Sequence, residues 1–227
     1  INPIEKIIEK AQAVGAKVMI DGAQAAAHIS LNMQSLGDDF YCFSAHKLYG
    51  PTGVGILYGK EDLLNELPPY QGGGEMIKEV SFKKTTYACL PHKFEAGTPN
   101  IAGIVAFKSA IDFITKLGLS NIAKYEEELL QYATEEVMKI EGLKIYGTAK
   151  NKSGIISFNI NELHPYDIGM IVDKMGIAIR TGHHCTQPIM ERFNIPGTDR
   201  ISLAVYNTKE EIDICINALK KAKMMLS

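Results

Sequence analysis

The chain has 227 residues, a formal charge of −2 and 22% charged residues, which is typical of one large or two modest globular domains. It carries no basic stripe with interleaved aromatic residues, so the sequence predicts no nucleic-acid partner. No apolar run approaches the ~18 residues of a membrane span, and the first ten residues lack the features of a signal peptide. Together these observations predict a cytoplasmic protein without a membrane partner.

The first half of the sequence predicts alternating helices and strands. A helix with apolar residues at helical spacing precedes short strands in "AKVMID", "DFYCFSAHK" and "GVGILYG". The glycine-rich "LPPYQGGGEMI" lacks the lysine and the spacing of a nucleotide-binding loop, so it predicts a flexible or closely approached backbone. Asn100 is predicted to cap a helix over residues 101–115.

The second half predicts a smaller layer of strands and helices. A long charged helix over residues 121–140 is followed by strands at 143–146 and 154–159 and by a helix at 166–175. Strands at 177–180 and 200–205 and a final helix at 209–226 complete the chain. This order predicts an α+β layer with its helices on one face of the sheet. We place the domain boundary after residue 113, which gives residues 1–113 and 114–227.

Polar residues follow two of the predicted strands. Asp21 ends an apolar strand, where open α/β sheets bind ligands, although a lone aspartate there is most often a turn former. Gln24 follows three residues later and adds little alone. Ser44, His46 and Lys47 follow another strand end and precede the glycine turn "LYGPTG", so they form a candidate anion cradle. From the residues alone, Lys47 is either a counter-charge or an amine that forms a covalent bond with a ligand.

The segment "RTGHHCTQP", residues 180–188, places two histidines directly before a cysteine. A metal site, a buried structural thiol and a nucleophile are the three interpretations. Adjacent side chains diverge, and the sequence offers no companion pair at zinc-ligand spacing, which disfavours a metal. The residues alone leave the other two interpretations open.

Five motifs resemble those of one enzyme family and occur in the right order. They are "VMIDGAQAAAH", "DFYCFSAHKLYGPTGVGILYG", "FEAGTPN", "RTGHHC" and "RISLAVYNTKEEID". Together they resemble the pyridoxal-phosphate (PLP)-dependent cysteine desulfurases of the class V aminotransferase superfamily, in particular the SUF-type (group II) branch that includes selenocysteine lyases. The resemblance implies an α/β fold, the fold-type I PLP-dependent transferase. Residues 1–113 would form the C-terminal part of the large, mainly parallel-sheet domain, and residues 114–227 the small α+β domain with the cysteine loop.

The resemblance also implies roles for the residues after the first two strands. Lys47 matches the lysine that holds pyridoxal 5'-phosphate covalently and moves a proton at the substrate Cα. Asp21 matches the carboxylate that pairs with the pyridine nitrogen, and Gln24 the amide beside the phenolic oxygen. Ser44 and His46 match ligands of the cofactor phosphate.

Five further residues match positions at the subunit interface or in the substrate pocket. Thr98 matches a residue that reaches the phosphate of the neighbouring subunit, which implies a homodimer. Cys185 matches the nucleophile that becomes a persulfide, and Arg200 the arginine that binds the substrate carboxylate. Arg180 and Asn207 match positions that line the substrate pocket.

The implied reaction converts L-cysteine to L-alanine and leaves a persulfide on Cys185. A small sulfur-acceptor protein is expected to collect this sulfur for iron–sulfur cluster assembly, and L-selenocysteine is the alternative substrate. His183 and His184 are expected to supply positive charge or a proton path to Cys185, and the sequence leaves open which of them does so. No metal is expected at these residues.

Members of the family extend further at the N-terminus, so the chain resembles an N-terminally truncated member. Such a chain is expected to expose apolar strand faces and to be inactive alone. The alternative interpretation is a non-catalytic piece that only dimerises or docks partners. The presence of Asp21, Lys47, Cys185 and Arg200 together disfavours a naturally degenerate version.

Overall fold

A computed structural model describes residues 1–227 and divides the chain into two compact units. The N-terminal unit comprises residues 2–120, and the C-terminal unit comprises residues 121–227 together with Ile1. The boundary that the sequence predicts after residue 113 lies inside the helix Ile101–Leu117. The predicted boundary therefore does not coincide with the end of a helix or strand, and the division into domains at this residue stays a prediction.

The N-terminal unit contains a small mixed sheet. Helix α1 (Ile4–Gln12) precedes strand β1 (Met19–Asp21), and strands β2 (Phe40–Ser44) and β3 (Gly55–Gly59) follow. Their order is β1-β2-β3, with β1 and β2 parallel and β2 and β3 antiparallel. Short helices lie after β1 and after β3, α2 (Met33–Leu36) and α3 (Glu61–Glu66). All three predicted strands are thus present.

The rest of this unit holds a hairpin and a long helix. The hairpin pairs β4 (Ile77–Val80) with β5 (Thr85–Tyr87), which the sequence pattern does not predict. Helix α4 (Ile101–Leu117) begins as predicted, because the Asn100 side chain accepts a hydrogen bond from the Gly103 N–H at 3.0 Å. Apolar side chains on the strands are exposed as expected, with Met19 at 57% and Leu57 at 53%.

The C-terminal unit contains a four-stranded antiparallel sheet. After α5 (Leu119–Val137), its strands are β6 (Leu143–Tyr146), β7 (Ile155–Ile160), β8 (Arg180–Gly182) and β9 (Thr198–Ser202), in the order β6-β7-β9-β8. Its other helices are α6 (Pro165–Lys174), α7 (Gln187–Phe193) and α8 (Lys209–Leu226). No helix of the chain is both long enough and apolar enough to span a membrane.

One face of this sheet packs on helices, as the sequence predicts. Ile156, Phe158 and Ile160 alternate along β7 and are fully buried against apolar residues of α5, α6 and α8. Because side chains alternate along a strand, the other face of β9 presents Thr198, Arg200 and Ser202. We call this second surface the open face of the sheet.

Two strand predictions are wrong in position. The strand predicted at 177–180 lies at Arg180–Gly182, and Ile177 and Ile179, which precede it, pack against the core. The strand predicted at 200–205 begins earlier, at Thr198, where it pairs with Gly182. Helix α7 is absent from the prediction.

Candidate active site

Asp21 and Ser44 lie at the same edge of the N-terminal sheet. Asp21 ends β1 and Ser44 ends β2, and these neighbouring strands are parallel. The carboxyl ends of parallel neighbours face the same edge, which is where open α/β sheets place ligands. A 3-10 turn directly after Ser44 carries His46 and Lys47, and both side chains are exposed.

The turn that carries Lys47 is fixed by its backbone. The buried Ala45 accepts hydrogen bonds through its carbonyl oxygen from the N–H groups of Leu48, at 2.8 Å, and Gly50, at 2.9 Å. A Cβ atom on Gly50 would lie 2.6 Å from the Phe107 ring and 2.9 Å from the Ala45 oxygen. Only glycine fits at position 50, so Gly50 allows the tight turn after Lys47.

The polar side chains at this edge are available for a ligand. Ser44, His46, Lys47 and Gln24 make no side-chain hydrogen bond or ion pair within the chain. One oxygen of Asp21 accepts a hydrogen bond from the Ala23 N–H at 2.9 Å, which is the turn-forming role, and its other oxygen has no partner. A hydroxyl, an imidazole and an amine beside a carboxylate form a donor set suited to a phosphate-bearing group with a basic ring nitrogen.

Thr98 lies in the segment before α4, apart in sequence from these residues. Its side chain is exposed and makes no hydrogen bond with Ser44, His46 or Lys47. Its phosphate-binding role stays a prediction.

Arg180 and Arg200 face each other on the open face of the C-terminal sheet. They are directly paired across β8 and β9, with Arg180 exposed and Arg200 half-buried. Burial, with the charge of Arg180 as a second cause, lowers the pKa of Arg200. Neither guanidinium has a carboxylate partner, and the buried Nε of Arg200 has no hydrogen-bond partner. Two unneutralised cations side by side favour an anionic ligand.

Cys185 lies at the tip of a tight turn. His184 and Cys185 have φ values of 51° and 62°, and the Thr186 N–H donates to the His183 carbonyl oxygen at 2.8 Å. Two positive φ values closed by this bond are the signature of a type I′ turn, which normally requires glycine or asparagine. The Thr186 hydroxyl donates to the same oxygen at 2.8 Å, and Cys185 is exposed.

The two histidines have different environments. The His184 ring nitrogen Nε2 lies 3.0 Å from the Thr198 carbonyl oxygen and 2.9 Å from its hydroxyl, whereas Nδ1 is buried without a partner. Burial lowers the pKa of His184, and the charges of Arg200 and Arg180 add to the effect. The His183 side chain is exposed and makes no side-chain hydrogen bond. Among the basic residues here, Arg180 approaches the thiol, with Nη2 3.9 Å from the Cys185 Sγ.

Asn207 has both ends of its amide occupied locally. Its oxygen accepts from the Ala204 N–H at 2.9 Å, and its nitrogen donates to Glu211 at 3.1 Å. Glu211 also completes a capping box with Thr208 at the start of α8. These contacts fix the entry to the helix, and the substrate-pocket role of Asn207 stays a prediction.

Sequence reasoning missed two residues of the open face and its reverse side. The Thr198 side chain contacts the His184 ring although the two residues are 14 positions apart, and no local sequence pattern predicts this contact. Asp199 is fully buried without a partner, and burial raises its pKa to about 8. The alternation of Asp199, Ile201 and Leu203 does carry a signal, because it places the carboxyl on the apolar face of the strand.

A metal centre finds no support in the geometry. No group of three or more His, Cys, Asp or Glu side chains converges at metal-binding distances. In particular, His183, His184 and Cys185 have no additional ligand around them.

Known proteins resemble the whole chain. The model of the family "Aminotransferase class-V" matches residues 1–215. A cysteine desulfurase of Serratia proteamaculans (strain 568) is 49% identical over 227 residues, which are 100% of this chain and 56% of that protein. The chain thus spans little more than half the length of the curated relatives it matches.

Solved structures agree with this fold. The cysteine desulfurase CsdA of Escherichia coli, in an S-sulfonic acid form, superposes with a TM-score of 0.94 at 37% identity. The apo cysteine desulfurase of Thermococcus onnurineus NA1 gives 0.94 at 36% identity. Each comparison covers 99% of this chain and 56% of the solved chain.

Proposed function

Because the chain belongs to the aminotransferase class-V family, we propose that it carries the catalytic residues of a PLP-dependent cysteine desulfurase. The reaction converts L-cysteine to L-alanine and leaves a persulfide on Cys185. The observation that carries this proposal is the exposed Cys185 thiol, held on a turn with two positive φ values and 3.9 Å from the unneutralised Arg180. A structural thiol would be buried, as Cys215 is.

The polar set at the N-terminal sheet edge fits PLP, since Ser44, His46, Lys47 and Gln24 are unpartnered, one Asp21 oxygen is free, and the groups match the ring and the phosphate chemically. The bound cofactor supplies an electron sink for charge that develops at the substrate Cα. The residues that would hold it are Lys47, Asp21, Gln24, Ser44 and His46, together with Thr98 of a second copy in a homodimer. Lys47 would also carry the Cα proton, because an amine at this position can act as both base and acid.

Arg200 would bind the substrate carboxylate. Its planar guanidinium offers two parallel N–H donors that match a carboxylate. Its half-buried position strengthens this pairing, and its Nε has no competing partner in the chain. An anionic group beside Arg200 would also relieve its repulsion with Arg180.

Cys185 would act as the nucleophile toward the substrate sulfur. The substrate Cβ–S bond breaks, an S–S bond to Cys185 forms, and the electron pair of the broken bond stays with carbon, which takes up a proton. The sum is one L-cysteine and one thiol giving one L-alanine and one persulfide. The thiolate is the reactive form in such an attack.

The SUF-type assignment rests on the compact cysteine turn. Two hydrogen bonds to the His183 carbonyl oxygen close this turn, which restricts the movement of the Cys185 sulfur relative to the turn. We infer that a small sulfur-acceptor protein must approach the enzyme to collect the persulfide for iron–sulfur cluster assembly. Turnover should be slow without such an acceptor.

The test measures L-alanine released from L-cysteine by the full-length gene product. Cys185→Ala and Lys47→Ala should each abolish alanine formation, whereas Cys89→Ala, which removes the other exposed thiol, should not. Borohydride reduction followed by peptide mapping should place a pyridoxyl group on Lys47 in wild type and in Cys185→Ala. Wild-type protein that carries the cofactor and still forms no alanine would refute the proposal.

A further inference from the structure

Three basic residues flank the Cys185 thiol, and they differ in the contacts that their side chains make. His183 and His184 precede it in the type I′ turn, and Arg180 begins the strand that leads into that turn. A nucleophilic thiol needs a neighbouring cation or proton acceptor, since the thiolate is the reacting species. The geometry decides which of the three residues can serve.

His184 is committed to another contact. Its Nε2 lies 3.0 Å from the Thr198 carbonyl oxygen, which accepts, and 2.9 Å from the Thr198 hydroxyl, which can donate, so this nitrogen is engaged by Thr198 in either tautomer. The other ring nitrogen is buried without a partner, and the lowered pKa of His184 keeps the ring neutral near pH 7. A neutral ring tied to Thr198 positions the turn and supplies no charge to the thiol.

Arg180 differs from both histidines in its contact with sulfur. Its Nη2 lies 3.9 Å from the Cys185 Sγ, and no other hydrogen-bond or ion-pair partner occupies its side chain. Across the sheet it faces Arg200, whose charge repels it and leaves it without an anion of its own. Guanidinium stays charged at every pH at which a thiol titrates.

We propose that Arg180 is a catalytic residue that stabilises and orients the Cys185 thiolate, rather than a residue that only lines the substrate pocket. This inference deepens the proposed function, in which Cys185 is the nucleophile. The charged and titratable groups around the thiol are Arg180, His183 and His184, with Arg200 on the adjoining strand. Of these, Arg180 is the permanent cation that contacts the sulfur.

The test is the alkylation rate of Cys185 by iodoacetamide in the full-length protein without L-cysteine, read by peptide mass spectrometry. The exposed Cys89 serves as the reference thiol in the same sample. At pH 7, Arg180→Gln should lower the Cys185 to Cys89 rate ratio about fivefold, the effect of a unit charge ~4 Å away in a watery environment. Arg180→Lys should keep most of the rate, because it retains a cation.

The matched control is Arg192→Gln, which removes an exposed arginine of α7 and should leave the ratio unchanged. At pH 10, where thiols are ionised without assistance, the difference between wild type and Arg180→Gln should vanish. An unchanged ratio in Arg180→Gln at pH 7, or a fivefold loss in His183→Gln instead, would overturn the inference. Alkylation needs neither cofactor nor substrate, so a protein that makes no alanine but shows the Arg180 effect would refute the proposed function alone.

Discussion

Two buried aspartates, one in each compact unit, respond to burial in opposite ways. Asp39 of the N-terminal unit is 4% exposed and Asp199 of the C-terminal unit is 0% exposed. Burial by itself would raise the pKa of Asp39, but hydrogen bonds from Lys60 at 2.9 Å and the Val18 N–H at 2.8 Å outweigh it and lower that pKa. Asp199 has no such partners, and burial raises its pKa to about 8.

The difference shows that partners, rather than burial, decide whether a buried carboxyl keeps its charge. Asp38, next to Asp39, supports this point, since it is also buried without a partner and burial raises its pKa. Asp199 lies in β9 between Phe158 and Thr181 of the neighbouring strands, which offer no cation. Asp39 should therefore contribute stability that is lost as pH falls, whereas the contribution of Asp199 should be lost as pH rises.

The largest expected effect comes from Asp199→Asn. The unfolded carboxyl releases its proton near pH 4 and the folded one near pH 8, so the free energy of unfolding of wild type falls as pH rises between these values. Asparagine resembles the protonated acid in shape and does not titrate, so it removes this pH dependence of the free energy of unfolding. The variant should be more stable than wild type by on the order of 4 kcal/mol at pH 8.5.

Urea unfolding at pH 4.5 and pH 8.5 checks this prediction. At pH 4.5 the folded carboxyl is protonated, whereas the unfolded carboxyl, with its ordinary pKa of 3.8, is mostly ionised. Ionisation of Asp199 should therefore separate the two proteins by only about 1 kcal/mol at this pH. A gain of equal size at both pH values would mean that ionisation of Asp199 is not the cause.

Lys60→Met should leave Asp39, like Asp199, as a buried carboxyl without a cationic partner. The substitution removes the cation and leaves the buried carboxylate with the Val18 N–H alone. We expect a loss of about 2 kcal/mol of unfolding free energy at pH 7, since Lys60 is partly exposed and solvent already weakens the pair. The double variant Asp39→Asn with Lys60→Met should recover part of this loss, because no unpaired charge remains. Urea unfolding of wild type, Lys60→Met and the double variant measures these losses, and identical losses in the single and double variants would contradict the prediction.

The smallest effect concerns the strained turn of the C-terminal unit. Cys185→Gly and Cys185→Ala both remove the thiol, but only glycine adopts a φ of 62° without steric cost. The glycine variant should exceed the alanine variant in unfolding free energy by about 1 kcal/mol. Thermal unfolding of the matched pair measures this difference. Equal midpoints would show that the turn relaxes once the thiol is gone.

Local sequence patterns were sufficient where the governing interactions are local. The apolar runs that end at Asp21 and Ser44 predicted both strand ends, and Asn100 predicted its helix start, because each depends on a few adjacent residues. The turn at Cys185 was beyond such reasoning, since histidine and cysteine rarely adopt positive φ values. The contact of His184 with Thr198 is set by the pairing of β8 with β9, which a single sequence does not display.

Successive residues of strand β9 lie in opposite environments, the apolar layer under the helices and the open face of the sheet. Asp199 and Ile201 face the helices, while Thr198 and Arg200 face the opposite side. A one-residue slip would drive the Arg200 guanidinium into the apolar layer and carry Ile201 to the open face. A single insertion or deletion between Gly197 and Leu203 should therefore disrupt the C-terminal unit more than substitutions that keep the alternation of apolar and polar side chains.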